Sequence, residues 1–378
     1  MSNRPGAQQQ LLSPRLNKWQ AKSLLNQVRL KAGQVREHLG QPPVFMEVCG
    51  THTAAIAHSG LRTLLTGLVE FRSGPGCPVC VTPREDVDYA LALAQLPNIT
   101  IATFGDLLRV PGSLSSLEKE RARGAQVEII YSPAQALQLA AAQPKQEVVL
   151  IAVGFETTAP LVALTLLVAR QKKQANFSIL SLHKLIPPAL RTLLALPKHP
   201  IDGLLLPGHV ATIIGCHPFD FLAQDYQLPA AVTGFEPVDI LLGLYSLLQN
   251  LLDNDPRITN MYPRAVTKDG NARAQRVLKE CFQVTTANWR ALGKIPVSGL
   301  ALSKQWQDYD AAHKFPLSVT GLPDPPDCAC SHVLQGLLNP PDCPLYGQTC
   351  TPRQPVGPCM VSSEGACAAH FRYQRYDS

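Results

Sequence analysis

The chemistry of this chain is concentrated in its cysteines. Eleven occur among 378 residues, and nine fall in two groups: Cys49, Cys77 and Cys80 early, and six between Cys328 and Cys367. The turn Cys77-Pro78-Val79-Cys80 carries two possible chemistries. It can be a redox dithiol, its first thiol acidified by a helix N-terminus, or a chelate, because two thiolates at this spacing reach one ion. Cys49 ends a neighbouring apolar run and offers a third thiolate. Soft sulfur donors suit iron or zinc, not magnesium or calcium. His52, three residues on, is a ligand, a proton-transfer group or a satisfied cap. The candidate metal or redox site is Cys49, Cys77 and Cys80, with His52 added as a candidate catalytic group.

The later group has a different form. Cys330, Cys343, Cys350 and Cys367 follow the spacing C-x12-C-x6-C-x16-C in a segment rich in Pro and Gly. Four thiolates match a [4Fe–4S] cluster or a zinc ion. Structural zinc usually takes tight C-x2–4-C knuckles, and their absence here favours iron–sulfur. Cys328 and Cys359 are left over, each able to replace a chosen ligand or to act as a nearby thiol. Cys216 and Cys281 stand alone and read as small buried apolar residues.

The elements that must position these groups are alternating ones. Short β-rich runs occur at Val44–Cys49, Leu68–Ser73, Ile99–Phe104, Val127–Tyr131, Val148–Phe155, Phe177–Leu182, Gly203–Leu206 and Ala230–Thr233. Helical segments such as Arg84–Gln95, Ala134–Ala142 and Leu161–Lys173 lie between them. Continuous apolar runs mark strands covered on both faces, and the alternation predicts parallel α/β architecture. Eight strands divide into two sets of four, with a break near Pro133–Gln146. The expected organisation is an N-terminal segment with a helix (1–40), a first α/β domain with the cysteine iron site (41–133), a second similar α/β domain (134–237), and a helical, Cys-rich [4Fe–4S] domain (238–378). Helices are expected at Val238–Leu252 and Ala272–Gln283. Beyond Phe315 the chain lacks the apolar runs for a core of its own and should fold around something else.

Ligands of open parallel sheets bind beyond the carboxyl ends of the strands, and the unusual polar residues fall there. Besides the cysteines these are Phe104-Gly105-Asp106, Glu156, His183, Lys184, His209 and Glu236, the last five forming a candidate polar cleft. The competing reading is that such residues cap helices or face solvent.

Composition excludes other classes. With 46% apolar and 16% charged residues the chain is globular, and its net charge of +6 is spread without a basic run. Nucleic-acid and polybasic membrane binding lack support. No phosphate loop of the G-x-x-x-x-G-K-[ST] kind occurs. Met1–Pro14 is polar, without a signal-peptide core, and no apolar run approaches a membrane span. A cytoplasmic protein is expected, where clustered cysteines bind metal or exchange thiols.

The strings Phe45-Met46-Glu47-Val48-Cys49-Gly50-Thr51-His52-Thr53 and Gly74-Pro75-Gly76-Cys77-Pro78-Val79-Cys80 resemble the HypD family of hydrogenase maturation proteins. So do Gly154-Phe155-Glu156-Thr157-Thr158-Ala159-Pro160, Leu206-Pro207-Gly208-His209-Val210, Gly234-Phe235-Glu236-Pro237 and the tail from Cys359 to Ala369. The resemblance covers about residues 20 to 373. It departs at Ala369-His370-Phe371, where two aromatic residues are expected in many relatives. It implies a scaffold on which the Fe(CN)2CO unit of [NiFe] hydrogenases is built, together with a small HypC-type chaperone, and with cyanide from a HypE-type donor. By that likeness Cys49, Cys77 and Cys80 hold or redox-gate Fe(II) carrying CN and CO as transient cargo, and Cys330, Cys343, Cys350 and Cys367 bind the [4Fe–4S] cluster. The alternatives from other classes are a cluster-dependent thiol–disulfide oxidoreductase and a zinc-dependent hydrolase.

Overall fold

The computed structural model describes residues 18–197 and 199–373; the polar segment Met1–Pro14 lies outside them. Eleven strands are found among the described residues: β1 (Val44–Glu47), β2 (Glu70–Ser73), β3 (Ile99–Thr103), β4 (Gln126–Ile129), β5 (Glu147–Gly154), β6 (Phe177–Lys184), β7 (Gly203–Pro207), β8 (Ala230–Thr233), β9 (Ile258–Asn260), β10 (Phe282–Trp289) and β11 (Gly293–Leu302). They form two sheets, ordered β2-β1-β7-β8-β9 and β10-β11-β6-β5-β3-β4. Every pairing in the first sheet is parallel. In the second, β3 to β6 are parallel and the β10–β11 hairpin adds antiparallel to β6.

All eight expected strands form. β1, β3, β7 and β8 are buried along their whole length, as continuous apolar runs covered on both faces require. The α/β class with a Cys-rich terminal region is the architecture present. The division into two consecutive sets of four is corrected. β3 and β4 leave the first sheet and join β5 and β6, while β7 and β8 return to pair with β1 and β2. The stretch read as a break holds a helix, Pro133–Ala142, packed on the second sheet. The region after 238 contributes β9 to the first sheet and the β10–β11 hairpin to the second. Parallel strands need crossovers, so chain order does not dictate sheet membership.

The helix Pro237–Leu252 begins with a capping box between Glu236 and Asp239 and buries its apolar face on the first sheet. The N-terminal helix Lys18–Leu39 covers the same core through Leu24, Val28, Ala32 and Val35. Among the described residues no helix is long and apolar enough to cross a membrane.

Candidate metal and redox centre

The carboxyl ends of the two sheets face one cleft of about 200 Å³. β1 delivers Val48 and Cys49, the turn after β2 delivers Gly76 and Pro78, β5 delivers Phe155, Thr157 and Thr158, and β7 delivers Pro207, His209 and Val210. Glu364, from the C-terminal tail, closes the side.

Cys49 occupies the N-cap of the helix Gly50–His58. Its surroundings are set by Glu47 on β1, whose buried carboxylate accepts hydrogen bonds from Thr53 (2.9 Å) and Ser73 (3.1 Å) and pairs with Arg62 at 2.8 Å. The Gly50 amide donates to the Gly76 carbonyl at 3.0 Å. A Cβ on Gly76 would lie 2.3 Å from the Cys49 nitrogen, so only glycine lets the two loops meet. Burial first, and the Glu364 charge second, push the Cys49 thiol up to about 11. Thr51 donates to Glu364 Oε1 at 2.7 Å.

Cys77 and Cys80 are joined as a disulfide across a Cα–Cα distance of 5.2 Å. Cys77 caps the short helix Pro78–Val81, with proline at its first position. In this oxidised state neither sulfur is a thiolate, so Cys49 is the free thiol of the cleft. Behind the pair, Cys80 Sγ lies 4.0 Å from the Pro358 carbonyl oxygen, and the next residue, Cys359, belongs to the second centre.

That centre is a pocket lined by Cys328, Cys330, Cys343, Cys350, Cys359 and Cys367, with Tyr346, Gly357 and Met360. All four cysteines expected as cluster ligands are there, and so are the two left over. Cys330 is held well below the ordinary thiol range by hydrogen bonds from Cys328 and Cys359, with a further contribution from the Arg290 charge. The Val356 amide donates to Cys350 Sγ at 3.3 Å. Buried soft sulfur donors with amide support fit an iron–sulfur centre. No group of three His, Cys, Asp or Glu side chains that could hold a metal ion is found among the described residues. The tail carrying these cysteines is tied back by Asp106 at the end of β3, which accepts from Ser362 Oγ at 2.8 Å and from the Ser363 amide and hydroxyl.

The other sequence candidates separate. His52 is fully buried and does not line the cleft. Its Nε2 bonds the Gly234 carbonyl (3.0 Å) and Thr233 Oγ1 (2.9 Å), and its ring stacks on Phe235. Burial lowers its pKa to about 4. It is a neutral strut between the Cys49 helix and β8, with its Nε2 bonded and its buried Nδ1 without a hydrogen-bond partner. His209, stacked on the other side at 3.9 Å from Phe235, does reach the cleft. Glu156 is buried with its Oε1 accepting from the Ile186 amide at 3.0 Å, and burial raises it to about 7. His183 is buried, and Lys184 pairs with Asp86 at 3.1 Å. Glu236 caps its helix at the surface. The five-residue polar cleft is thus reduced to His209 at this site. Cys281 is buried as expected, whereas Cys216 is half-buried.

Glu364 and Arg290 were not among the sequence candidates. For Glu364 the available signal was the tail string Ser362-Ser363-Glu364-Gly365; a Cβ on Gly50 would lie 2.3 Å from the Glu364 carbonyl oxygen. Arg290 carries no motif.

Fold and site together define a two-sheet α/β protein in which a cysteine cleft and a six-cysteine pocket stand back to back, joined through Pro358. The HypD model, described as "Hydrogenase formation hypA family", matches residues 20–374. The hydrogenase maturation factor HypD of Rhizobium leguminosarum bv. viciae is 43% identical over 364 residues, covering 94% of this chain and 93% of the relative. HypD2 of Bradyrhizobium diazoefficiens is 42% identical over 344 residues (89% and 90%), and HypD of Escherichia coli K12 is 42% identical over 360 residues (95% and 96%). The chain belongs to the HypD family of hydrogenase maturation factors.

Proposed function

We propose that the chain is a cytoplasmic scaffold on which the Fe(CN)2CO unit of [NiFe] hydrogenases is assembled. Fe(II) is the cargo, held at Cys49 and gated by Cys77 and Cys80. A small HypC-type chaperone shares the iron at the mouth of the cleft, and a HypE-type protein donates cyanide. The observation that carries the reading is the closeness of two centres: Cys80 Sγ lies 4.0 Å from the Pro358 carbonyl oxygen, and the residues on either side of Pro358, Gly357 and Cys359, line the six-cysteine pocket.

Cys330, Cys343, Cys350 and Cys367 would hold a [4Fe–4S] cluster, which supplies one-electron transfer when bound. Opening the Cys77–Cys80 disulfide breaks one S–S bond and takes two electrons and two protons, giving two thiols. An external low-potential one-electron donor delivers those electrons in two turns. Reduction adds two thiols beside Cys49, and reoxidation withdraws them, a means of accepting and then releasing iron. Loading also requires Cys49 to lose its proton against a pKa of about 11. Glu364 is the carboxylate lining the cleft and is positioned to accept that proton. His52 does not act on substrate in this scheme; it fixes the helix that presents Cys49.

The disulfide also favours the thiol–disulfide oxidoreductase reading, in which the same electrons serve a foreign disulfide. Metal and sulfide analysis of anaerobically purified protein, alone and with its small partner, separates the classes. Iron in excess of four per chain supports the scaffold. Iron equal to the cluster alone, with partner present, supports the reductase and overturns the scaffold, and zinc in place of iron supports a hydrolase.

A further inference from the structure

The β10–β11 hairpin thrusts its tip between the two centres. Arg290 sits there with its side chain only 3% exposed. Its backbone amide donates to the Val81 carbonyl at 2.8 Å. Its Nε and one terminal nitrogen both donate to the Thr82 carbonyl, at 3.2 and 3.0 Å. These carbonyls belong to the end of the Cys77–Cys80 helix and the residue after it. The remaining terminal nitrogen pairs with Asp324. On the other side Arg290 shares a small cavity with Cys328, Cys330 and Pro358. The next residue, Ala291, accepts a hydrogen bond from Gln335 at 2.6 Å, just beyond the helix Cys330–Leu334. Arg84 joins the group 3.9 Å from Asp324, so two guanidiniums share one carboxylate, and the Arg290 charge also acts on Asp86.

We infer that Arg290 is a positioning residue that sets the reduction potential of the centre in the cysteine pocket while holding that centre against the Cys77–Cys80 helix. The inference rests on the iron–sulfur reading of the pocket. A buried arginine remains a cation at any working pH. Taking up one electron makes an iron–sulfur centre one charge more negative without forming or breaking a bond. A desolvated cation alongside stabilises that reduced form and raises the potential. Asp324 opposes it and is the adjustable partner, since its side chain is 35% exposed.

The test is an anaerobic redox titration, by absorbance and electron paramagnetic resonance, of reconstituted full-length wild type, Arg290→Met, Arg290→Lys and Asp324→Asn, with dithionite as reductant. At the wild-type midpoint, Arg290→Met should show about a tenfold lower ratio of reduced to oxidised centre, a downward shift of ~59 mV for one electron. Asp324→Asn should shift upward, and Arg290→Lys should stay near wild type. Opposite signs are the discriminating result, because mere loosening admits water in both variants and moves both potentials the same way. Shifts of equal sign, or none, overturn the inference. If Arg290→Met does not fold, the upward shift of Asp324→Asn and the retained potential of Arg290→Lys decide the matter. Wild type without iron and sulfide refutes the cluster reading itself, which is scored separately by metal analysis before titration.

Discussion

The buried thiol of Cys49 makes its reactivity a quantitative probe of the cleft. Its pKa is pushed from 9.0 to about 11. At pH 8 the thiolate fraction therefore falls from ~9% to ~0.1%, roughly a hundredfold loss of nucleophile and about 3 kcal/mol of added ionisation cost. The more basic thiolate is intrinsically the better nucleophile, and a Brønsted slope of ~0.4–0.5 returns roughly eightfold. The net expectation is alkylation about tenfold slower than that of an ordinary thiol, before any steric retardation. Its rate should climb close to tenfold per pH unit from 8 to 10. Glu364→Gln removes the second-largest cause of the raised pKa and should accelerate the reaction at pH 8. The assay is iodoacetamide labelling of the oxidised protein, in which Cys77 and Cys80 are protected, with peptide mapping by mass spectrometry. A rate that levels off below pH 9, or a slower Glu364→Gln protein, would refute the reasoning.

Three further outcomes follow from the geometry. The folded pKa of His52 lies below its ordinary value (about 4 against 6.5), so its contribution is complete above pH 6.5 and lost as pH falls toward 4. That depression corresponds to roughly 3 kcal/mol; a His52→Gln protein should lose correspondingly less stability than wild type between pH 7 and 4.5 in urea titrations, and equal losses would contradict this. Gly76→Ala places a Cβ 2.3 Å from the Cys49 nitrogen, so the loops must part by about 1 Å to reach ordinary contact; a destabilisation of ~1–3 kcal/mol is expected by thermal unfolding, and an unchanged midpoint would show the approach to be looser. Cys343→Ala and Cys350→Ala should each lose iron and sulfide and admit faster hydrogen exchange after residue 315, and full metal content in both would remove them as ligands.

Much of the frame was legible because buried parallel strands declare themselves as continuous apolar runs, and β1, β3, β7 and β8 are such runs. In the β10–β11 hairpin, Gln283 to Asn288 of β10 point largely to solvent, with only Phe282 and Trp289 of that strand buried, and β11 buries Ile295 and then Ser298 to Leu300 together, so no alternation marks either strand. Sheet membership escaped for another reason. β1 pairs with β7, more than 150 residues on, and no local pattern specifies a crossover partner. The cysteines were readable because thiol spacing carries chemistry by itself. Their supporting residues were not: Thr51 meets Glu364 across 313 residues and Arg290 meets Thr82 across 208. The proximity of His52 to Cys49 in sequence says nothing about side-chain direction. The ring points to β8, away from the cleft.

The claim that Cys49 carries the iron cargo is tested most directly by infrared spectroscopy in the cyanide and carbonyl stretching region, on the anaerobically co-purified complex with the small partner. Wild type should show these bands, and Cys49→Ser should lack them even with Cys77 and Cys80 fully reduced, because a serine hydroxyl cannot supply an equivalent soft anionic ligand. Undiminished bands in the Cys49→Ser complex would contradict the account.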